Sequence, residues 1–175
     1  MAELKHMNDR EQRAWYGFLS MQEDIRRHMN RQLLTATGLS LADYAVLSTL
    51  AQTSDGSLRV FALRDQLRWE KTRLTHQVSR MAARGLLERR SCADDIRGNH
   101  IGLTQQGLTA VREATPLHLR YVRRIFLDVI GGHQLDALAA ASAAVVQALH
   151  DAMSTDPQPA HLPRAAEFRS ARPAA

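Results

Sequence analysis

Apolar positions recur at helical spacing through most of this chain, with one short stretch of strand-like alternation near the middle. In the first block Trp15, Phe18, Ile25, Met29 and Leu33 return every three to seven residues and line one side of a long helix. Asn8 and Glu11 precede that stripe with the spacing of a capping box, and Gly38 is placed to end the helix in a left-handed turn. Ser40 caps a second helix that carries Asp43 in its first turn and buries Val46, Leu47 and Leu50. Ser54–Ser57 reads as a turn, Leu58–Val60 as a short strand, and Phe61–Leu67 as a third helix.

The centre of the chain has a different design. From Glu70 to Arg80 the pattern keeps Leu74, Val78 and Met81 on one face and sets Thr72, Arg73, His76 and Arg80 on the other. Gly85 stops this helix. Leu86–Cys92 and His100–Leu103 then read as two strands joined by a polar tip, Asp94–Asn99. Helix, turn, helix and hairpin in that order describe a winged helix-turn-helix. The fold class expected is mainly α with a small β-wing. A helix anchored by one apolar stripe, with hydrogen-bonding groups opposite, suits a DNA major groove, and the wing offers Arg97 to the neighbouring groove.

Long helices flank this unit. Thr104 caps one predicted from Gln105 to Ile130, with a kink expected at Pro116, where a backbone donor is missing. Gly131-Gly132 breaks it, and a last helix carries Leu135, Leu138, Val145, Leu149 and Met153. The expected organisation is residues 8–38 and 105–153 as dimerisation helices around a DNA-binding domain at 39–104, with a disordered, proline-rich tail at 154–175. Two copies packing their terminal stripes together would hold two reading helices at a fixed separation. Packing of the stripes within one chain is the alternative.

Composition sharpens the picture in one respect. The net charge is +5. Between Arg59 and Arg97 there are ten Lys or Arg and five Asp or Glu, so this segment alone equals the excess of the whole chain. Concentrated positive charge suits a polyanionic partner. A single cysteine, Cys92, leaves no intramolecular disulfide and no cysteine metal cage. The histidines form no close i, i+4 pair for a metal. No secretory signal or membrane-spanning run is read, and a cytoplasmic location is expected. No nucleophile elbow, phosphate-binding glycine loop or zinc-protease helix is present, so neither an enzyme nor a cofactor is expected.

From about Trp15 to Met153 the chain resembles the MarR family of transcriptional regulators. The resemblance lies in Gly38-Leu39-Ser40, in Ala42-Asp43-Tyr44 with Val46-Leu47, in Trp69–Val78, in Arg84-Gly85-Leu86, in Asp95-Ile96-Arg97, and in Ile101–Thr104 with Gly107. It implies a homodimer on an inverted-repeat DNA site, usually as a repressor, and a small, often aromatic and anionic effector that weakens DNA binding. The chain departs from the pattern at Arg68, where such motifs often carry glycine, at Arg64, which is often small, and at Phe61, where a polar cap is usual.

Lys71, Thr72, Arg73, Thr75 and His76 are the expected base-reading residues, because they fill the first turns of the reading helix. Arg73 can offer a bidentate fork to guanine. Arg80, further along, suits a phosphate. In the wing, Arg97 is expected to enter a minor groove, Asp95 to orient it, and Asn99 or His100 to meet phosphate. Arg89 and Arg90 alternate along a strand, so only one of them can face DNA. Trp15, Phe18, Met21, Ile25, His28 and Tyr44, with His118, are the candidate effector pocket. Cys92 is read as an inert thiol, with a redox role as the alternative, and a winged helix used only for protein contact is a further alternative.

Overall fold

The structure is a computed structural model. It describes residues 7–92 and 95–155; the side chains of 91–99 and of 153–155 lie outside the description. Helix α1 spans Asp9–Thr37, α2 Leu41–Ala51, α3 Val60–Leu67, α4 Lys71–Ala83, α5 Gln105–Val122 and α6 Gly132–Thr155. Strand β1 spans Ser57–Arg59, β2 Leu87–Cys92 and β3 Asp95–Leu103. The strands form one antiparallel sheet with β3 in the middle, in the order β1-β3-β2. Of the tail expected at 154–175, Ser154 and Thr155 continue α6 and the remainder lies outside the described residues.

The chain divides into two compact units, up to Ile125 and from Phe126. In the first, the core joins Leu33 and Leu39 at the end of α1, Val46, Leu47 and Leu50 of α2, and Leu63 of α3. Leu74, Val78 and Met81 of α4, Leu86, Leu87, Ile101 and Leu103 around the sheet, and Val111 and Ala114 of α5 complete it. Both α1 and α5 therefore belong to the same compact unit as the winged domain. Trp15, Tyr16, Phe18 and Leu19 of α1 stay exposed in the single chain. In the second unit, α6 leaves Val145 and Leu149 exposed.

The helix ends follow their local chemistry. Asn8 and Glu11 exchange the two bonds of a capping box, and Ser40 and Asp43 do the same at α2. Gly38 closes α1 at φ 70°, a left-handed conformation that glycine reaches without steric cost. Arg68 closes α3 at φ 52°, so it occupies a glycine-type position with a side chain attached. The first turn of α3 receives no side-chain cap, and Phe61 is 56% exposed. Arg64 turns outward and pairs with Asp65 at 2.6 Å, which avoids packing a large residue in the interior.

Two expectations need correction. The sequence pattern carries the helix after the wing to Ile130. Instead α5, with Pro116 inside it, ends at Val122 and gives way to a π-helical turn at Arg123–Leu127. The wing tip, Asp94–Asn99, reads as a loop from its polar composition. The structure instead starts β3 at Asp95, opposite Cys92, with a shift of register between Arg90 and Cys92. Polar side chains do not bar a strand when the backbone has a ladder partner, and the mismatch in residue number is taken up as a bulge.

Candidate nucleic-acid interface

The reading face is built from the inside outward. On α4, Leu74, Val78 and Met81 are buried as the pattern demands, and Lys71, Thr72, Arg73, Thr75, His76 and Arg80 are exposed. The sequence-predicted donors of this helix therefore share one open surface. Thr75 donates its hydroxyl hydrogen to the Lys71 carbonyl at 2.9 Å, so it keeps only lone pairs for a partner. The Arg73 guanidinium lies over the Trp69 ring, 4.2 Å from its centroid.

A polar cluster missed by the sequence reading fixes this helix from behind. Gln77 is buried to 3% exposure and Asp43 to 4%. Gln77 Nε2 donates to Asp43 Oδ1 at 2.6 Å. Arg84 donates to Asp43 Oδ2 at 2.7 Å and to the Gly38 carbonyl at 2.8 Å. The Ser40 backbone N–H donates to the same carboxylate at 2.9 Å. Arg80 donates to Gln77 Oε1. Burial alone would raise the Asp43 pKa, but the hydrogen bonds from Ser40 and Arg84 and the Arg84 charge outweigh it and hold the carboxyl below its ordinary value. One carboxylate thus ties together the start of α2, the end of α1, the inner face of α4 and the residue that closes α4. The signal available in the sequence was Asp43 at the third helical position with Gln77 inside the apolar stripe; periodicity alone reads such a glutamine as a surface residue.

The wing is anchored at its base. Arg90 donates to Glu88 Oε1, to the Asp55 carbonyl and to the Leu103 carbonyl, each at 2.8–2.9 Å. Its stem passes over Gly102, where a Cβ would meet Arg90 Nε at under 3 Å. Arg90 is thus the structural member of the pair, and Arg89 is exposed. His100, expected near phosphate, is half-buried between Arg59 and Arg90, its strand partners. Asp95, Arg97 and Asn99 lie on β3, but their side chains, with that of Cys92, fall outside the described residues.

Of the candidate effector-pocket residues, Trp15, Phe18, Met21, Ile25 and His28 lie on α1, Tyr44 on α2 and His118 on α5. Trp15 and Phe18 face each other at 6.2 Å on α1, whereas Tyr44 stacks on His118 at 4.5 Å and donates to Thr115 Oγ1. Burial lowers the His118 pKa. Two clefts flank α1, and of these residues His118 lines the first. One, bounded by Met29, Leu33, Leu117, His118 and Tyr121, holds only ≈ 10 Å³. The other, ≈ 260 Å³, is bounded by Arg26, Asn30, Leu41, Ala45, Trp69 and Arg73. Among the described residues no group of three His, Cys, Asp or Glu could hold a metal ion.

The architecture has close counterparts among solved structures. AbsC of Streptomyces coelicolor, a MarR family transcriptional regulator, is 30% identical, with a TM-score of 0.79 over 84% of this chain and 99% of AbsC. The chain belongs to the MarR family of transcriptional regulators. Sco3205, a MarR family regulator from the same organism solved in complex with DNA, is 27% identical, with a TM-score of 0.79 over 85% of this chain and 93% of its own. A MarR family regulator from Silicibacter pomeroyi is 25% identical, with a TM-score of 0.67 over 82% of this chain and 99% of its own. No family model and no curated protein matches the sequence. As a MarR-family member the chain is a DNA-binding regulator of transcription and not an enzyme. Among the described residues no single helix is long and apolar enough to cross a membrane.

Proposed function

We propose that this MarR-family chain is a homodimeric repressor that reads an inverted repeat and releases it when a small aromatic anion binds. The observation that carries the reading is the exposed donor face of α4, Lys71 to Arg80, held from behind by Asp43 and Gln77. The existence of a DNA complex of Sco3205 supports it. Lys71, Thr72, Arg73, Thr75 and His76 meet base edges in the major groove, Arg80 meets phosphate, and Arg97, with Asp95 and Asn99, serves the wing.

Dimerisation is supported by apolar residues that each unit leaves uncovered: Trp15, Tyr16, Phe18 and Leu19 in one, Val145 and Leu149 in the other. Large apolar side chains left exposed together on one helix suit an association site. Light scattering at micromolar concentration is expected to give twice the 19.6 kDa chain mass. Binding to duplexes with two half-sites about 10–10.5 bp apart is expected to exceed binding to a single half-site. A monomer that binds the inverted repeat with full affinity refutes the dimer.

The effector site proposed is the cleft lined by Arg26, Trp69 and Arg73. Guanidinium groups attract a carboxylate, and the indole offers a stacking face. An aromatic anion there would draw Arg73 away from DNA. Benzoate serves as the probe. Weakened DNA binding in wild type, lost in Trp69→Ala, is the expected result; no change in melting temperature or DNA affinity counts against this site.

A further inference from the structure

We propose that Gln77 is a positioning residue for DNA binding: it relays the fixed Asp43 carboxylate to Arg80 and sets the Arg80 guanidinium before DNA arrives. The inference rests on the reading of Arg80 as a phosphate ligand. Its basis is a chain of bonds with forced polarity. Ionised Asp43 can only accept, and Arg80 can only donate. The Gln77 amide between them must therefore point its Nε2 at Asp43 and its Oε1 at Arg80, as observed. Neither neighbour permits the flipped amide, so the orientation of this glutamine is dictated by chemistry.

Burial makes the relay stiff. Gln77 is 3% exposed and Asp43 4%, so water does not compete for their shared bond. Asp43 is itself immobilised by the Ser40 N–H and by Arg84, which also holds the Gly38 carbonyl. Arg80 sits at the outer end, exposed, with one nitrogen engaged by Gln77. A long arginine loses much rotamer freedom when it grips a phosphate. Part of that cost is already met when the guanidinium is held in the free protein, and the relay raises affinity in this way. It has no means of choosing a sequence, since phosphates are alike at every step.

The test uses the full chain and a duplex selected by the wild-type protein from a random-sequence pool. Wild type, Arg80→Ala, Gln77→Met and the double variant are titrated at several salt concentrations. Arg80→Ala is expected to weaken binding and flatten the salt dependence by about one counterion for each phosphate no longer held. Gln77→Met is expected to weaken binding about threefold alone and to add almost nothing once Arg80 is absent, as coupled partners do. If Gln77→Met costs the same with and without Arg80, it acts through the placement of the helix, and the relay is refuted. If Arg80→Ala is costly but Gln77→Met is silent, the relay fails while the phosphate reading stands. If Arg80→Ala changes neither affinity nor salt slope, the phosphate reading fails and takes the relay with it. A measurement on the unaltered protein is independent of variant folding: nitrogen-15 NMR of the free chain is expected to show restricted rotation of the Arg80 guanidinium. Free rotation refutes the proposal.

Discussion

The Arg73 guanidinium rests 4.2 Å from the centre of the Trp69 ring, so the foremost candidate base reader is stacked on the last residue but one before its own helix. Trp69 is itself packed against the core. The indole is thus a fixed floor under a long side chain, and a cation–π contact at an exposed site is worth about 0.5–1 kcal/mol. Trp69→Leu is expected to lower DNA affinity about two- to fivefold, the equivalent of that energy, whereas Trp69→Phe retains most of it. Titration in an Arg73→Ala background checks the cause, because there the Trp69→Leu effect should vanish.

Arg73 and Arg97 should fail in different ways. Arg73→Ala is expected to cost about 1–3 kcal/mol on the preferred site and to relax preference at one base pair of each half-site. Arg97→Ala is expected to matter most where the flanking DNA is A·T-rich and narrow-grooved. Binding titrations on matched, mismatched and flank-altered duplexes separate the two. Unchanged affinity and preference in both variants would remove the basis for the proposed interface.

Stability should fall in two stages on acidification. The folded pKa of His118 lies below its ordinary 6.5 because burial disfavours the imidazolium. The unfolded chain therefore takes up this proton first, and stability present above about 6.5 is lost as pH falls toward the folded value. Asp43 is likewise depressed from 3.8, so its contribution is complete above that value and is lost as pH falls through the lower, folded pKa. Thermal melts from about pH 8 downward check this; His118→Gln should remove the first stage and leave the second.

Gly107 is the least replaceable glycine among those described. A Cβ there would lie 2.1 Å from the Leu86 carbonyl oxygen, a backbone atom with little room to move. Gly107→Ala is expected to destabilise the chain by about 1–3 kcal/mol through overpacking between α5 and the segment that follows α4. Chemical denaturation, with the midpoint shifting at unchanged slope, is the measurement.

Much of this architecture was legible in the sequence because its helices carry their own punctuation. Asn8, Ser40 and Thr104 cap where the pattern places them, and Leu74, Val78 and Met81 are buried as their spacing requires. What escaped depends on long-range partners. A glutamine inside an apolar stripe carries no sign that an aspartate 34 residues earlier will meet it. Polar residues 95–99 read as a loop because strand pairing draws its stability from the opposite chain segment. The sequence departure at Arg68 was a local signal with a local answer, a left-handed cap at φ 52°.

Arg90 gives the wing the mechanics of a cantilever. Its three bonds to Glu88, Asp55 and Leu103 clamp the sheet near the body of the protein, and the register shift lies just beyond the clamp. Load on the strands past that point passes through Arg90 to the Asp55 turn and the end of β3, and through the root of β2 to α4, against which it packs. The root of the wing and the reading helix therefore share one seat, built on Met81, Leu86 and Leu87.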